Sequence, residues 1–298
     1  AAVNQIQFIF QQLLTAIGDG LVIFCSQYWG KKQTGSMKKI SATAMHMALG
    51  TAVILFILVS LFPSRAVGMF TTDGAIISEG VRYMNIMRFT YIFFAVTMTL
   101  LATLRSVEIV KIAFYLSLST LVINCGINYV LIYGRFGAPE LGVAGAAIGT
   151  LTARIVECAA VIVYIVKKEK SLRLKLSDYF HTDRVLQKDY IKVTLPMLVV
   201  QGLWGLNTAM QTVILGHMTT GAIAANSAAS TLFMLVKSTA VGAASTASVI
   251  IGKTIGTGDI PKVKEYSRTL QRMFLIIGVF SGILLFFIRI PVLSLYDL

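Results

Sequence analysis

Long apolar runs, interrupted by short polar and basic segments, are the dominant pattern of the chain. Residues 42–62, 89–104 and 112–133 contain no Lys, Arg, Asp or Glu. Because about 20 apolar residues in a helix span the hydrocarbon core of a bilayer, runs of this length indicate membrane-spanning helices. The pattern predicts eight of them, at residues 3–28, 42–62, 83–104, 112–133, 142–166, 190–215, 222–250 and 268–290.

The composition agrees with a membrane location. Of the 298 residues, 56% are hydrophobic and 13% are charged, whereas soluble domains carry about 25% charged residues. The mean hydropathy is +0.78. A soluble chain of this size could not bury eight long apolar helices, so we predict an all-α polytopic protein embedded in a lipid bilayer.

The basic residues are distributed unevenly between the two sides of the predicted helices. The net charge of +13 could indicate binding to nucleic acid, but 19 of the 26 Lys and Arg residues lie in alternate loops on one side. This asymmetry is the positive-inside pattern of multi-pass membrane proteins. It places the basic loops in the cytoplasm and argues against a nucleic-acid partner.

The sequence contains no arrangement typical of an enzyme. It has no nucleophile–base pair, phosphate-binding loop or metal-ligand spacing. Cys25, Cys125 and Cys158 lie in apolar runs, where burial as small apolar side chains is the simplest interpretation. We therefore predict a protein that is not an enzyme and that needs neither a cofactor nor a metal.

An internal repeat relates the beginning and the end of the chain. A shift of 222 residues in one segment and of 226 in the next aligns identical residues in two consecutive helices. Both copies of the first helix end in a lysine, so the copies share one orientation and form parallel repeats. The matched pairs include Asn4/Asn226, Gly20/Gly242, Ser26/Ser248, Gly30/Gly252, Lys31/Lys253, Ser41/Ser267, Thr43/Thr269, Met47/Met273 and Leu49/Leu275.

The repeat also predicts the domain organisation. Helices that flank the shared pair in one copy have no counterpart in the other, which predicts six helices per copy and a chain that is incomplete at both ends. Residues 1–170 would form an N-lobe that lacks its first helix. Residues 171–189 would form a cytoplasmic linker, and residues 190–298 the first three helices of a C-lobe.

Three of the predicted helices carry polar residues on one face. In helix 190–215 this face lies opposite Leu198, Leu203 and Met210. Such a face must contact protein or water. It could pack against other helices or line a cleft, and Trp204 favours a cleft because an aromatic face suits an organic cation. The candidate cleft residues are Gln11, Thr15, Asp19, Gln201, Trp204, Asn207, Gln211, Asn226 and Ser230.

The charges in the interior of the predicted helices include Asp19, Arg154, Glu157 and Lys237. A charge at mid-bilayer costs about 2.5–3.5 kcal/mol, so each should have a partner. Asp19 and Lys237 occupy equivalent faces of the two copies, and we hypothesise that they pair as a gate between the lobes. Alternatively, each extends to the membrane surface or pairs within its own lobe, or Asp19 carries a coupling proton. Arg154 and Glu157 are three residues apart on one helix and are predicted to form a structural polar pair.

Four passages of the chain carry a family resemblance. They are "NQIQ…GDGLVIFCSQYWGK", "LRSVEIVK…NCGINYVLIYGRFGAPELGVAGAAIGTLTAR", "LPMLVVQG…ILGHMTTGAIAANS" and "VIIGKTIGTGD". They resemble the bacterial MATE (multidrug and toxic compound extrusion) family, over that family's second to ninth helices. The resemblance implies two six-helix lobes around a V-shaped cleft. It also implies an antiporter, expected to be a monomer in the bacterial cytoplasmic membrane, that exports small organic cations in exchange for H⁺ or Na⁺.

Two departures from the family pattern leave the coupling ion open. Some Na⁺-coupled members carry a glutamate in the seventh helix, where this chain offers Trp204 and no acid. Other members use an aspartate of the first helix, which this chain does not include. Two other functions stay open: a flippase for lipid-linked saccharides, which would have a more cationic cleft, and a channel or membrane receptor.

Overall fold

The computed structural model describes residues 2–69, 73–169, 172, 174–216 and 220–295, and they form an all-helical chain. Two short 3₁₀ turns, Arg135–Gly137 and Leu176–Phe180, join longer helices. The α-helices are α1 (Ala2–Gly30), α2 (Thr34–Leu61), α3 (Pro63–Gly68), α4 (Gly74–Met87), α5 (Thr90–Ser106), α6 (Lys111–Tyr133), α7 (Val143–Lys167), α8 (Arg184–Gly216), α9 (Thr220–Thr257) and α10 (Ile260–Leu295).

Seven helices in these ranges are long and apolar enough to cross a membrane. The pair α4–α5 passes the same test as one bent span, which gives up to eight spans. The structure thus confirms the predicted all-α polytopic membrane fold.

The third predicted span differs from the structure. The sequence predicts one helix over residues 83–104, but α4 and α5 meet at a bend of 49°. The bend places the Arg88 guanidinium 5.6 Å from the centre of the Phe56 ring and 5.3 Å from that of Phe89. Hydropathy alone does not report such a bend, because the residues on both sides of it are apolar.

Two compact units are defined by the contacts within the chain. Unit 1 comprises Ala1–Cys25 and Gln33–Gly205, and unit 2 comprises Ser26–Lys32 and Leu206–Leu298. The chain therefore passes between units inside α1 and inside α8, and not within the predicted linker at residues 171–189. The predicted lobes, 1–170 and 190–298, are derived from the sequence repeat and not from contacts, so their boundaries stay a prediction.

In unit 1 the first part of α8 packs closely against α1. The hydroxyl of Tyr190 donates a hydrogen bond to the backbone carbonyl of Ile17 at 2.7 Å. Gly20 lies directly against Thr194, so that a side chain at position 20 would collide with the Thr194 hydroxyl. This packing explains why residues 184–205 belong to the same unit as most of α1.

The linker after α7 is held to the beginning of α2 by ion pairs. Lys38 Nζ lies 2.8 Å from Asp178 Oδ2, and Lys39 Nζ lies 3.2 Å from Asp183 Oδ2. Burial alone would raise the pKa of Asp178, but the hydrogen bonds from Lys38 and from the backbone of Lys175 outweigh it and lower the pKa. The hydrogen bond from Lys39 likewise lowers the pKa of Asp183. Both carboxylates are therefore ionised at neutral pH.

Helices α6 and α7 cross closely because α7 begins with small residues. A Cβ at Gly145 would lie 2.7 Å from the carbonyl oxygen of Leu131 and 2.8 Å from its carbonyl carbon. Since these are backbone atoms of α6, they cannot move away as a flexible side chain could. The small residues of "GVAGAAIGT" thus set the distance between the two helices.

We expect the substitution Gly145→Ala to destabilise the protein by about 1–3 kcal/mol, because the added methyl group forces α6 and α7 apart. The matched control is Gly126→Ala in α6, where an added Cβ meets nothing within 4 Å. There alanine should be neutral or stabilising by up to about 1 kcal/mol, since it is the better helix former. Thermal unfolding of the purified variants in detergent measures the difference, and equal melting temperatures would contradict this packing.

Unit 2 contains a second close crossing, between the ends of α1 and α9. A Cβ at Gly30 would collide with the carbonyl oxygen of Lys253 and lie 3.0 Å from the Cα of Gly256. A Cβ at Gly256 would collide with the carbonyl oxygen of Gln27 in the same way. The contact is therefore reciprocal. Gly30 meets Gly256, whereas the sequence alignment pairs it with Gly252.

Candidate functional site

A hydrogen-bonded cluster of amides lies between α6 and α7 in unit 1. Asn128 Nδ2 donates to Asn124 Oδ1 at 3.0 Å, and Asn124 Nδ2 donates to Thr150 Oγ1 at 3.2 Å. Gly149 allows this arrangement, because a Cβ there would collide with Asn128 Oδ1. Asn128 Oδ1 is buried and accepts no hydrogen bond within the described ranges. An unsatisfied buried acceptor of this kind requires a donor or a cation.

The amide cluster adjoins a cavity of about 340 Å³. Hydroxyl and amide groups from α6 face one charged pair from α7 across it, so the cavity is polar although its helices are apolar. Its lining residues are Ser117, Thr120, Leu121, Asn124, Thr150, Ala153, Arg154 and Glu157.

The charged pair of this cavity is Arg154 and Glu157, whose spacing in the sequence predicts their contact. Arg154 Nη1 donates to Glu157 Oε2 at 2.7 Å, and the guanidinium carbon lies 4.6 Å from the centre of the Phe94 ring. Glu157 is 6% exposed, whereas the side chain of Arg154 is 29% exposed. Removing Arg154 would therefore leave a buried carboxylate without its cation.

A second cavity of unit 1, of about 200 Å³, lies beside Asp19 of α1. Arg105 Nη2 donates to Asp19 Oδ1 at 3.0 Å, and the two side chains remain 33% and 37% exposed. Apart from this ion pair and Thr15, the lining is apolar or glycine. It consists of Thr15, Gly18, Asp19, Met98, Leu101, Ala102, Arg105, Ile109, Val110 and Ala113.

The predicted gate pairs Asp19 with Lys237, but the structure shows Arg105 as the partner of Asp19. Asp19 belongs to unit 1 and Lys237 to unit 2. The contact with Arg105 corresponds to the alternative that each charge pairs within its own lobe. The pairing of Asp19 with Lys237 stays a prediction.

The other candidate residues of unit 1 are partly used for helix packing. Thr15 donates to the carbonyl of Gln11 at 2.8 Å, and the side chain of Gln11 itself is exposed. The Trp204 ring contacts Phe8 at a tilt of 47°, with 5.5 Å between ring centres. Gln201 is half-buried. Thr15 and Asp19 are thus brought to one cavity, while Trp204 packs on another part of α1.

The remaining candidates lie in unit 2. The Lys237 side chain is half-buried. The four uncharged polar candidates on α8 and α9 are exposed, and they are Asn207, Gln211, Asn226 and Ser230.

The cysteines agree only in part with the burial that the sequence predicts for all three. Cys25 and Cys158 are buried as predicted, whereas Cys125 is exposed on α6. Within the described ranges, no group of three His, Cys, Asp or Glu residues could hold a metal ion.

The fold and these cavities define a polytopic helical membrane protein with polar sites inside its helical bundle. A crystal structure of a MATE in complex with MaL6 superposes with a TM-score of 0.86 at 18% identity, covering 99% of this chain and 66% of that one. The MatE family model matches residues 1–130 and 196–297. The chain therefore belongs to the MatE family, as its sequence motifs predict.

Curated bacterial relatives match almost the whole chain. The probable multidrug resistance protein NorM of Streptococcus pneumoniae is 26% identical over 96% of this chain. The probable multidrug resistance protein YoeA of Bacillus subtilis is 25% identical over 97% of it. The chain spans 63% of the length of each of these relatives.

Proposed function

We propose that the protein is a secondary active antiporter that exports small organic cations across the bacterial cytoplasmic membrane in exchange for H⁺ or Na⁺. The main observation in support of this proposal is the buried Glu157 carboxylate. It lies beside a polar cavity between helices that are otherwise largely apolar. Ionisable groups within spanning helices are costly and are typical of ion and substrate pathways.

The chemistry of this cavity suits the coupling ion. A carboxylate and neutral oxygens are the groups that carry a proton or coordinate a hard cation such as Na⁺. Glu157 supplies the carboxylate, and Asn124, Thr150 and Ser117 supply neutral oxygens around the same space. Asn128, which belongs to the same amide cluster, adds the buried acceptor Oδ1. We assign these residues to the coupling-ion pathway.

The organic cation would use the polar and aromatic faces that the sequence predicts on α1, α8 and α9. Carboxylate and aromatic groups attract organic cations, and Asp19 and Trp204 supply one of each. Two lobes related by parallel repeats would expose these faces alternately to the two sides of the membrane. The basic loops would face the cytoplasm, and pairing of Asp19 with Lys237 would close one side of the cleft.

A cellular efflux assay tests this proposal. The protein is expressed from its complete reading frame in a bacterium without its own drug exporters, and retained ethidium is measured by fluorescence. The wild-type protein should lower ethidium retention, and Glu157→Gln should abolish this effect while the protein still reaches the membrane. Glu265→Gln, at an exposed residue of α10, is the matched control and should export normally. Wild-type cells that retain as much ethidium as empty cells would contradict the proposal.

A further inference from the structure

The cavity beside Asp19 combines an apolar lining with an incompletely satisfied ion pair. Met98, Leu101 and Val110 form much of its wall, and methionine side chains adapt to ligands of different shape. Asp19 and Arg105 are joined by one hydrogen bond in the described structure, from Nη2 to Oδ1. Arg105 Nε is buried and has no hydrogen-bond partner within the described ranges.

The ion pair is of a kind that a ligand can displace. About a third of each side chain is exposed, so the pair is not enclosed by protein. The exposed part of Asp19 leaves this carboxylate accessible to a second cation.

We propose that this cavity binds small lipophilic monocations, and that the ligand's cation competes with Arg105 for Asp19. The apolar part of the ligand would lie against Met98, Leu101 and Ala113, where its burial is favourable. The cationic centre would take the place of the guanidinium at the Asp19 carboxylate. This site rests on the proposed function, since it would be where an exported cation binds on α1.

The two charged residues therefore have opposite roles in binding. Asp19 attracts the ligand, so removing its charge should weaken binding. Arg105 competes with the ligand, so removing its charge should strengthen binding. A merely structural ion pair would behave differently, because losing either partner would disturb the site in the same direction.

Equilibrium binding of benzyltrimethylammonium to the purified full-length protein in detergent tests the proposal. Asp19→Asn should weaken the affinity by about tenfold or more, as expected for a lost charge-assisted contact. Arg105→Gln should tighten it by roughly threefold or more, because the competing cation is gone. The uncharged carbon isostere of the ligand should bind weakly to the wild type and respond little to either substitution.

Two further variants test the cavity without changing charge. Ala113→Phe fills the space and should weaken binding, whereas Leu118→Phe, at an exposed position of α6, should leave it unchanged. These two variants and Arg105→Gln decide the question even if Asp19→Asn fails to fold. Unchanged affinity in Asp19→Asn or Ala113→Phe, or weakened affinity in Arg105→Gln, would overturn the proposal.

Transport of the same cation separates this inference from the proposed function. If the protein moves the cation but the variants do not show this binding pattern, the Asp19 site is wrong and the exporter function stands. If the binding pattern appears but the protein moves no cation, the site stands and the exporter function is wrong.

Discussion

Replacing Gly30 with leucine is expected to reduce export by roughly tenfold or more while leaving the protein inserted in the membrane. Any Cβ at this position would collide with the carbonyl oxygen of Lys253, and backbone atoms of α9 cannot rotate away. The ends of α1 and α9 would therefore have to separate, at a cost of about 1–3 kcal/mol or more. The sequence alignment pairs these two helices as copies of one unit, so we expect any transport conformation that brings their ends together to become rare. A free-energy cost of that size lowers the population of this conformation, and with it the transport rate, by roughly tenfold or more.

The reciprocal contact provides an independent check of the same prediction. Gly256→Leu should reproduce the defect, because its Cβ would collide with the carbonyl oxygen of Gln27. Gly35→Leu is the matched control in the first turn of α2, since an added Cβ there meets nothing within 4 Å. Ethidium efflux from cells with equal amounts of each variant measures the effect. Normal export by Gly30→Leu would show that the close crossing is not needed for transport.

Replacing Arg154 with methionine is expected to destabilise the protein by about 3–5 kcal/mol, because it leaves the buried Glu157 carboxylate without its cation. The loss of the cation–π contact with Phe94 adds to this effect. The double variant Arg154→Met with Glu157→Leu removes both charges and should recover most of the lost stability. Thermal unfolding of the purified proteins in detergent gives the comparison.

Transport by the double variant distinguishes a structural pair from a functional one. If Glu157 belongs to the coupling-ion pathway, the double variant should be stable but unable to export. A stable double variant that exports normally would restrict the pair to a structural role. A double variant as unstable as Arg154→Met would show that the low stability of the single variant does not come from an unpaired charge.

Local patterns in the sequence predict most of the architecture. Runs such as residues 112–133 mark spanning helices because lipid permits only apolar side chains at their surface. The contact between Arg154 and Glu157 follows from their spacing on one helix. The bend after Met87 and the early start of α2 at Thr34 are missing from the prediction, because a hydropathy window reports neither a change of direction nor helix outside the membrane.

Contacts between distant residues account for what the sequence does not predict. Asp19 and Arg105 are 86 positions apart, and nothing in the sequence separates Arg105 from the other basic residues on the predicted cytoplasmic side. Similarly, Gly252 and Gly256 are both available to meet Gly30, and only the packing of α1 on α9 selects Gly256. The polar face of α8 stays a prediction, and the burial of Thr194 against Gly20 depends on tertiary packing that the sequence does not show.

Ion exchange in liposomes that contain only the purified full-length protein is the most direct test of the central claim, that this is a cation antiporter. Liposomes loaded with a lipophilic monocation are diluted into buffer that contains Na⁺ but none of the organic cation, and internal pH and Na⁺ are followed with fluorescent indicators. We predict that the outward cation gradient drives uptake of H⁺ or Na⁺, and that Glu157→Gln abolishes this uptake. Release of the organic cation by the wild-type protein without any movement of H⁺ or Na⁺ would contradict antiport.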